Sequence, residues 1–321
     1  MIGFHCAHEQ FSPSFLLNIV QRAESAGFKA AMCSDHITPW SKNQGHSGHT
    51  WSWLGAAMQG TALSFGSMAI PGGWRYHPAV LAQTIATLAE MFPGRLRWVA
   101  AGSGEALNEH VTGEDWPEKE IRNRRLESGV KIIRRLWQGE EVTDLSGPVK
   151  TDRAKIWSLP NVNPAIYGAA LTPETAFRLG GWADGLLTVQ KPPEELQKLI
   201  NAFRDGGGSG KPVVLQMHVS WDTTDEQARY NAWDQWRNNT KGPVACANLV
   251  TPEDFDRVCA DVKPEDMDEV ILISADLNRH VEWIRMYRAM GINEIYIHNA
   301  GKNQMAFIDG YQQSVLPFLE V

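Results

Sequence analysis

The chain has 321 residues, 43% of them hydrophobic, and a formal net charge of −7. That length fits one large barrel or two ordinary domains, and the acidic balance provides no basic face for a nucleic-acid backbone. No apolar run reaches the roughly 20 residues of a membrane-spanning helix, so we expect no membrane partner, and we expect no secretory leader.

The cysteine pattern predicts the redox compartment. The four cysteines show no CxxC spacing, and they are Cys6, Cys33, Cys246 and Cys259. Cysteines without a pairing pattern are typical of proteins in reducing compartments. We therefore expect free thiols in a cytoplasmic protein, without a disulfide framework or a zinc site.

Short apolar segments alternate with amphipathic segments along the whole chain. The apolar segments predict eight strands, at about residues 1–5, 30–34, 64–69, 97–102, 165–169, 185–188, 213–220 and 294–298. The segments between them predict helices, at about residues 13–26, 53–61, 78–92, 122–138, 173–179, 193–204, 225–236, 278–290 and 304–319. Pro78 and Pro173 each suit the first position of a helix, where a missing N–H group is tolerated.

Eight strand–helix repeats predict an α/β fold, a TIM (β/α)8 barrel, because parallel strands need crossover helices. An open doubly wound sheet is the alternative, although no GxGxxG follows the first strand. We expect a single domain over 1–321, since the glycine-rich stretch 206–210 lies between a helix and a strand. Loop insertions are expected at the C-terminal face of the strands, at 41–51, 109–121, 140–164 and 237–269.

The segment CSDHITPW follows the second predicted strand. In a TIM barrel the chemistry lies at the C-terminal ends of the strands. Asp35 could orient the ring of His36 or hold it charged, and His36 could act as an acid or a base near neutral pH. A turn capped by Asp35 beside a structural histidine is the alternative.

The segment AGSGEALNE follows the fourth predicted strand. Gly102 and Gly104 let a ligand approach the backbone closely, and Ser103 can form a hydrogen bond with its edge. Glu105 precedes two apolar residues, and a half-buried carboxyl group there could hold a proton at neutral pH. The alternative is a glycine turn with Glu105 in the first turn of a helix.

Two further patterns are candidate ligand sites. Thr172 fits an N-cap, and the helix start behind it could bind a phosphate or could be a plain cap. His5, His8 and Glu9 resemble the start of a metallohydrolase ligand set, to which His36 and His298 could contribute, with His46 and His49. Because the chain has neither HxH on the first strand nor HExxH, we predict no metal and keep a metal-dependent hydrolase as the second hypothesis.

Four segments together form a more specific signature. They are AHEQF after the first strand, SDHITPW after the second, RYHPAVLAQ at the third helix and GSGEALNEHVTG after the fourth strand. They resemble the bacterial-luciferase-like oxidoreductases, the luciferase-like monooxygenase class, nearest the deazaflavin-dependent glucose-6-phosphate dehydrogenases. The resemblance implies a TIM barrel, usually a homodimer, that holds a flavin or deazaflavin at the strand ends.

The resemblance also implies roles for individual residues. The catalytic set is His36, Glu105, Trp40 and Asp35, and the substrate pocket includes Glu9, Trp40, Trp74 and Lys191, with Trp51 and Trp53 as further aromatic walls. The cofactor contacts are Asp35, His36, Met68, Ala69, Ser103, Gly104, Asn108, Ala169, Ala170, Leu171 and Thr172. In the family pattern Met68–Ala69 is a cis peptide bond, and residues 169–172 cradle the phosphate of the cofactor.

Two departures from that branch shape the functional prediction. The segment 250–271 is mostly acidic where the sugar-phosphate dehydrogenases carry cations, which predicts a non-phosphorylated small-molecule substrate. Leu171, Thr172 and Pro173 stand where those enzymes often have consecutive glycines, which favours FMN over the deazaflavin coenzyme F-420. The sequence therefore predicts an FMN-dependent oxidoreductase of the luciferase-like class, which either transfers a hydride or activates oxygen at the flavin. An F-420-dependent dehydrogenase or reductase is the alternative, and a non-catalytic flavin-binding protein is a third hypothesis.

Overall fold

The computed structural model describes residues 1–319. Within them the strands are β1 (Ile2–Cys6), β2 (Ala30–Cys33), β3 (Ser64–Ala69), β4 (Leu96–Ala101), β5 (Val142–Asp144), β6 (Thr151–Ala154), β7 (Ala165–Ala169), β8 (Gly185–Val189), β9 (Val213–Ser220), β10 (Leu272–Ile273) and β11 (Glu294–Asn299). The helices are α1 (Pro13–Ala26), α2 (Thr50–Gly60), α3 (Pro78–Met91), α4 (Ala106–Glu109), α5 (Lys119–Trp137), α6 (Pro173–Gly180), α7 (Pro193–Phe203), α8 (Asp225–Trp236), α9 (Gly242–Asn248), α10 (Pro252–Val258), α11 (Leu277–Ala289) and α12 (Gln304–Ser314).

Eight parallel strands close into one barrel, in the order β1, β2, β3, β4, β7, β8, β9 and β11. The first and last strands of the barrel pair directly, with Ile2 opposite Ile295 and Phe4 opposite Ile297. The pairing of β8 with β9 completes the ring, with Leu186 opposite Val213. The predicted TIM barrel is thus confirmed, and the C-terminal ends of all eight strands share one face.

Helix α1 shows how local sequence sets an element of the outer layer. The Ser12 side chain accepts a hydrogen bond from the Phe15 N–H group, and Pro13 occupies the first turn. Gly27 ends the helix with φ 107°, a left-handed conformation that favours glycine. The buried face, which includes Leu16, Ile19, Val20 and Ala23, packs toward the strands with helical spacing.

Three large aromatic rings, those of Trp98, Tyr167 and Tyr296, fill the barrel below the strand ends. The Trp98 and Tyr167 rings stack with centres 5.6 Å apart, and Tyr296 meets Trp98 edge-on at 5.5 Å. Glycines make room for them: a Cβ atom on Gly66 would lie 2.2 Å from the Trp98 ring, and one on Gly3 would lie 2.4 Å from the Tyr296 ring. Because these rings fill the barrel interior, a ligand has room only above them, at the C-terminal ends of the strands.

The structure differs from the sequence prediction in one insertion. Residues 140–164 connect α5 to β7, so this segment begins and ends at the N-terminal side of the barrel, not at the C-terminal face. It forms the antiparallel hairpin β5–β6, and its tip reaches back to the β3–α3 loop, where the Lys150 carbonyl oxygen lies 2.7 Å from His77 Nε2.

The segment between β9 and β11 holds α8, α9, α10 and the short strand β10, which pairs with the C-terminal end of β9. It therefore covers the face that carries the strand ends. Among residues 1–319, no helix combines the length and the apolar content that a membrane crossing requires.

Candidate active site

Side chains from three strand-to-helix connections meet at the C-terminal face of the barrel. Glu9 follows β1, His36 follows β2, and Glu105 and Asn108 follow β4. Glu9 and Asn108 are buried, while His36 and Glu105 are half-buried. The barrel topology thus brings together residues that lie far apart in the sequence.

These four side chains form one hydrogen-bonded chain. His36 Nε2 lies 3.0 Å from Glu9 Oε1, and His36 Nδ1 lies 2.9 Å from Asn108 Nδ2. Asn108 Nδ2 also donates to Glu105 Oε2 at 3.1 Å, and Ser34 Oγ donates to Glu9 Oε2 at 2.8 Å. A single imidazole is therefore placed between two carboxyl groups.

Burial shifts all three titratable groups of this chain toward their neutral forms. It raises the pKa of Glu9 to about 7 and, with the nearby charges of Glu9 and Glu109, raises the pKa of Glu105 to about 8. Burial, with the positive charge of Arg75, lowers the pKa of His36 to about 3. Near neutral pH, Glu105 therefore holds a proton and His36 is uncharged.

The hydrogen bonds fix the tautomer of His36. Asn108 Oδ1 accepts the Ile37 N–H group at 3.0 Å, so the amide nitrogen of Asn108 must face His36. His36 Nδ1 is then an acceptor, and the ring proton lies on Nε2, where it is donated to Glu9. Nδ1 is the ring atom that can take up a further proton, and the Glu9 carboxylate would stabilise the imidazolium.

Asp35 does not orient His36, which corrects the expectation from the sequence. Its carboxylate lies 3.1 Å from Arg75 Nη2 and 3.4 Å from the Tyr76 hydroxyl, and Arg75 Nη2 also donates to the Asp35 carbonyl oxygen at 2.9 Å. The reason is geometric, since successive residues at a strand end point in different directions. Glu9 takes the role that was assigned to Asp35.

Arg75 is a site residue that the sequence reasoning missed. Its side chain is 8% exposed, and it links Asp35 to Glu109. The Arg75 N–H group donates to Glu109 Oε2 at 3.0 Å, and the guanidinium Nε lies 3.5 Å from Glu109 Oε1. Arg75 belongs to the segment RYHPAVLAQ, so that segment contained the available signal.

The tryptophans have different locations. The Trp40 ring lies 5.2 Å from the His36 ring and 5.2 Å from the Phe255 ring, so it forms a wall beside the imidazole. Trp74 lies 5.4 Å from Trp116 in the neighbouring loops. Trp51 and Trp53 belong to the main hydrophobic core instead of the pocket, because α2 turns them toward the barrel.

The family model described as "Luciferase-like monooxygenase" matches residues 2–294. The chain belongs to this family.

Curated relatives of this luciferase-like chain match over nearly its full length. One from Nakamurella multipartita, named F420-dependent glucose-6-phosphate dehydrogenase, is 34% identical and the match covers 99% of this chain and 96% of that protein. One of the same name from Microbacterium testaceum is 32% identical with the same coverage.

Solved structures agree with the fold. An F420-dependent secondary alcohol dehydrogenase, in complex with an F420–acetone adduct, is 26% identical with a TM-score of 0.90, over 100% of this chain and 99% of that one. An F420-dependent tetrahydromethanopterin reductase from Methanopyrus kandleri has a TM-score of 0.78 at 20% identity and covers 99% of both chains; it supports the fold alone.

Ser103 and Gly104, two of the residues expected to contact the cofactor ring, directly precede Glu105 in the connection from β4 to α4. At Gly104, with φ 84°, a Cβ atom would lie 3.2 Å from each of three side-chain atoms, so this position suits glycine alone. Ser103 makes no side-chain hydrogen bond within residues 1–319 and can serve a ligand. The small residues and the protonated Glu105 beside them fit a flat, polar-edged ring.

The Met68–Ala69 peptide bond differs from the family expectation. Every peptide bond within residues 1–319 is trans. Met68 and Ala69 continue the ladder of β3, where they stand opposite Ala100 and Ala101 of β4. The extended strand therefore runs through both residues, and the expected cis bond is not present.

The loop at residues 169–172 leads from β7 into α6. Ala170 is buried and Leu171 is 41% exposed. Thr172 caps α6, since its hydroxyl accepts a hydrogen bond from the Thr175 N–H group at 3.4 Å. The loop thus presents backbone groups and the start of a helix, a chemistry compatible with a phosphate.

Lys191 and the acidic segment lie in the region where a substrate phosphate would need cations. The Lys191 carbonyl oxygen accepts the Tyr287 hydroxyl, and its ammonium group forms no ion pair within residues 1–319. Five of the eight acidic side chains of the segment 250–271 are paired with cations, as Glu253–Lys42, Asp256–Arg237, Asp261–Lys241, Asp254–Arg257 and Asp268–Arg229.

A group of three histidines, His5, His218 and His298, lies inside the barrel near His36, and the sequence did not indicate it as a group. The His218 and His298 rings have their Nδ1 atoms 2.9 Å apart, and the His5 ring centre lies 4.9 Å from that of His298. Among residues 1–319, no cluster of three or more His, Cys, Asp or Glu side chains could hold a metal ion. The hydrolase hypothesis therefore gains no support from them.

Proposed function

We propose that this luciferase-like oxidoreductase is an F420-dependent dehydrogenase that interconverts an alcohol and a carbonyl compound. The observation that carries the proposal is the chain Glu9–His36–Asn108–Glu105, which places a neutral imidazole between a carboxylate and a protonated carboxyl group. Such a set can receive the proton that an alcohol loses on oxidation.

The relatives support the deazaflavin over FMN. The curated proteins that match along the whole chain are named F420-dependent, and so is the solved structure with a TM-score of 0.90. The preference for FMN, drawn from Leu171, Thr172 and Pro173, is not confirmed. One exposed leucine and a capping threonine do not separate two cofactors that both carry a phosphate.

The roles proposed for the protein follow from the hydrogen bonds. A bound F420 supplies a ring that exchanges a hydride with the substrate carbon. His36 Nδ1 takes the hydroxyl proton when the substrate hydroxyl group displaces the Asn108 N–H group that Nδ1 accepts in the free protein, and the Glu9 carboxylate at 3.0 Å stabilises the resulting imidazolium. Trp40 excludes water from one side of His36. Glu105 Oε2 is occupied by Asn108, so its proton lies on Oε1 and is available to the site.

The proposal is tested with the purified protein. We expect F420 to bind with quenching of its fluorescence and to lose its visible absorbance when isopropanol is added. In the His36→Ala variant we expect unchanged F420 binding and turnover lower by about 100-fold or more, the usual contribution of a general base. FMN is the control ligand, and tight binding of FMN with no binding of F420 would contradict the proposal.

Two attributes remain predictions, one from the family resemblance and one from the cysteine pattern. They are a homodimer and a cytoplasmic location. Sedimentation of the purified protein would test the dimer.

A further inference from the structure

A hydrogen-bonded chain sets the orientation of a histidine pair next to the catalytic residues. Gln10 Nε2 donates to the Ala300 carbonyl oxygen at 2.7 Å and to Gln235 Oε1 at 3.1 Å. Both partners are acceptors, so the amide of Gln10 has one allowed orientation. Its oxygen Oε1 then faces His298 Nε2 at 2.8 Å.

This orientation fixes the tautomers of both rings. His298 Nε2 must carry a proton, because Gln10 Oε1 can only accept. Burial keeps His298 uncharged by lowering its pKa well below the usual range, so His298 Nδ1 is an acceptor. His218 Nδ1, at 2.9 Å, must then be the donor.

The same reasoning leaves one bare nitrogen. Burial lowers the pKa of His218 to about 3, so its ring carries a single proton, and that proton lies on Nδ1. His218 Nε2 therefore presents a lone pair. This atom makes no hydrogen bond within residues 1–319. It also keeps some exposed surface, so it is not sealed inside the protein.

His218 lies on the substrate side of the barrel. It shares an alternating face of β9 with Val214, which packs inside the barrel, and it lies near the C-terminal end of that strand. Trp236 covers one side of the pair, with ring centres 4.9 Å from His218 and 4.5 Å from His298. His5 lies near enough to both His218 and His36 to interact electrostatically with each.

We propose that His218 Nε2 accepts a hydrogen bond from a second hydroxyl group of the substrate, so that the substrate is an uncharged polyol. This inference rests on the proposed function, in which the first hydroxyl group reacts at His36. A 7% exposed side chain with an open acceptor nitrogen selects a donor such as a hydroxyl group. Near the acidic segment, Lys42 is paired with Glu253 and Arg237 with Asp256, so these two cations are not available to a substrate phosphate.

The kinetic test uses His218→Phe, which keeps a planar ring and removes the acceptor. We expect the KM for glycerol to rise by about tenfold, the usual effect of one lost hydrogen bond. The kcat/KM for isopropanol, which has no second hydroxyl group, and the affinity for F420 should not change. An equal loss with both alcohols, or no change with glycerol, would overturn the proposal.

A second measurement does not depend on turnover. Nitrogen NMR of isotope-labelled histidine in the wild-type protein should show His218 with a protonated Nδ1 and an unprotonated Nε2. Gln10→Met removes the acceptor for His298 and should produce a mixture of His218 tautomers. A protonated Nε2 in the wild type would refute the inference, whereas failure of the wild type to bind F420 would refute the proposed function itself.

Discussion

The tautomer of His36 is determined by the side chains that contact its two ring nitrogens. Asn108 presents an N–H group to Nδ1, and Glu9 presents an oxygen to Nε2. Because Glu9 titrates near neutral pH, a change at this one carboxyl group alters the basicity of the ring. Residue-scale chemistry here depends on neighbours that are distant in sequence.

The Glu9→Gln variant tests this dependence. We expect kcat for alcohol oxidation to fall by about 100-fold, because no carboxylate remains to stabilise the imidazolium. The wild-type rate should rise with pH as Glu9 ionises through its raised pKa of about 7. That rise should be lost in the variant, and the measurement is kcat as a function of pH.

Ser34→Ala is the matched control for this experiment. It removes a hydrogen bond to Glu9 Oε2 but keeps the carboxyl group. The control should keep the pH-dependent rise with a slightly higher midpoint, since the lost bond stabilised the carboxylate. An unchanged profile in Glu9→Gln would remove Glu9 from the mechanism.

At the residue scale, the sequence indicated which side chains lie at the strand ends better than it indicated their hydrogen-bond partners. His36 and Glu105 were predicted as site residues because each belongs to a recognisable segment at a strand end. The structure joins them through Asn108, and their catalytic roles stay predictions. The pairing of Asp35 with Arg75 was missed, since it joins residues 40 positions apart through the loop that follows β3. Sequence proximity favoured Asp35 as the partner of His36, and the direction of the side chains decided otherwise.

At the scale of elements, the local sequence pattern predicted the bounds of several helices and strands that have buried residues. The bounds of β3, β7, β9, α1 and α8 match the prediction. The three strands are short, mostly buried apolar runs, and α1 has apolar residues at helical spacing. The hairpin β5–β6 was missed because its strands are only three and four residues long and half of their side chains face solvent. Short, exposed strands give little periodic signal.

The barrel floor provides a test at the element scale. In Gly66→Ala, the new methyl group would lie within 2.4 Å of several ring atoms of Trp98, which is fully buried. We expect a loss of about 1 to 3 kcal/mol in the free energy of unfolding, the typical cost of overpacking a core. Urea unfolding followed by tryptophan fluorescence would measure it.

Gly55→Ala is the control for the added methyl group. Gly55 lies within α2, and the nearest atom to its new Cβ would be 3.8 Å away, an ordinary contact. Alanine should stabilise this helix by up to about 1 kcal/mol. Equal effects of the two substitutions would show that the space beside Trp98 is not limiting.

For the whole molecule, buried titratable groups make the stability depend on pH in two opposite ways. Burial lowers the pKa of six histidines, namely His5, His8, His36, His218, His280 and His298. Burial raises the pKa of three carboxyl groups, namely Glu9, Glu105 and Glu109. The histidines favour the folded state at high pH, and the carboxyl groups favour it at low pH.

The balance predicts a stability maximum near pH 6.5. Below that value, the histidines of the unfolded chain bind protons that the folded histidines do not, which favours unfolding. The three carboxyl groups act in the opposite direction, but the six histidines outnumber them, so the free energy of unfolding falls toward pH 4.5. Above it, the folded Glu9 and Glu105 lose protons near pH 7 and 8, while the unfolded carboxyl groups are already ionised, so stability also falls. Urea midpoints across this range would measure both limbs.

Two histidine variants separate this effect from a general acid sensitivity. His280 is buried between α11 and α12, where its ring bonds to the Tyr311 hydroxyl group. His280→Gln should flatten the acid limb, whereas the exposed His46→Gln should leave it unchanged. A stability that rises steadily from pH 6.5 to 4.5 would contradict the prediction.

The closure of the barrel has a consequence for synthesis in the cell. Within residues 1–319, β1 is translated before every other strand, but one of its two neighbours, β11, is translated after all the others. Until then the edge of β1 stays unpaired, and pairing across such a sequence distance is slow. Gln10 meets His298 and Ala300 only after that step. A nascent chain therefore forms the contact between Gln10 and His298 only after β11 has been translated, and the edge of β1 stays open to chaperone binding until then.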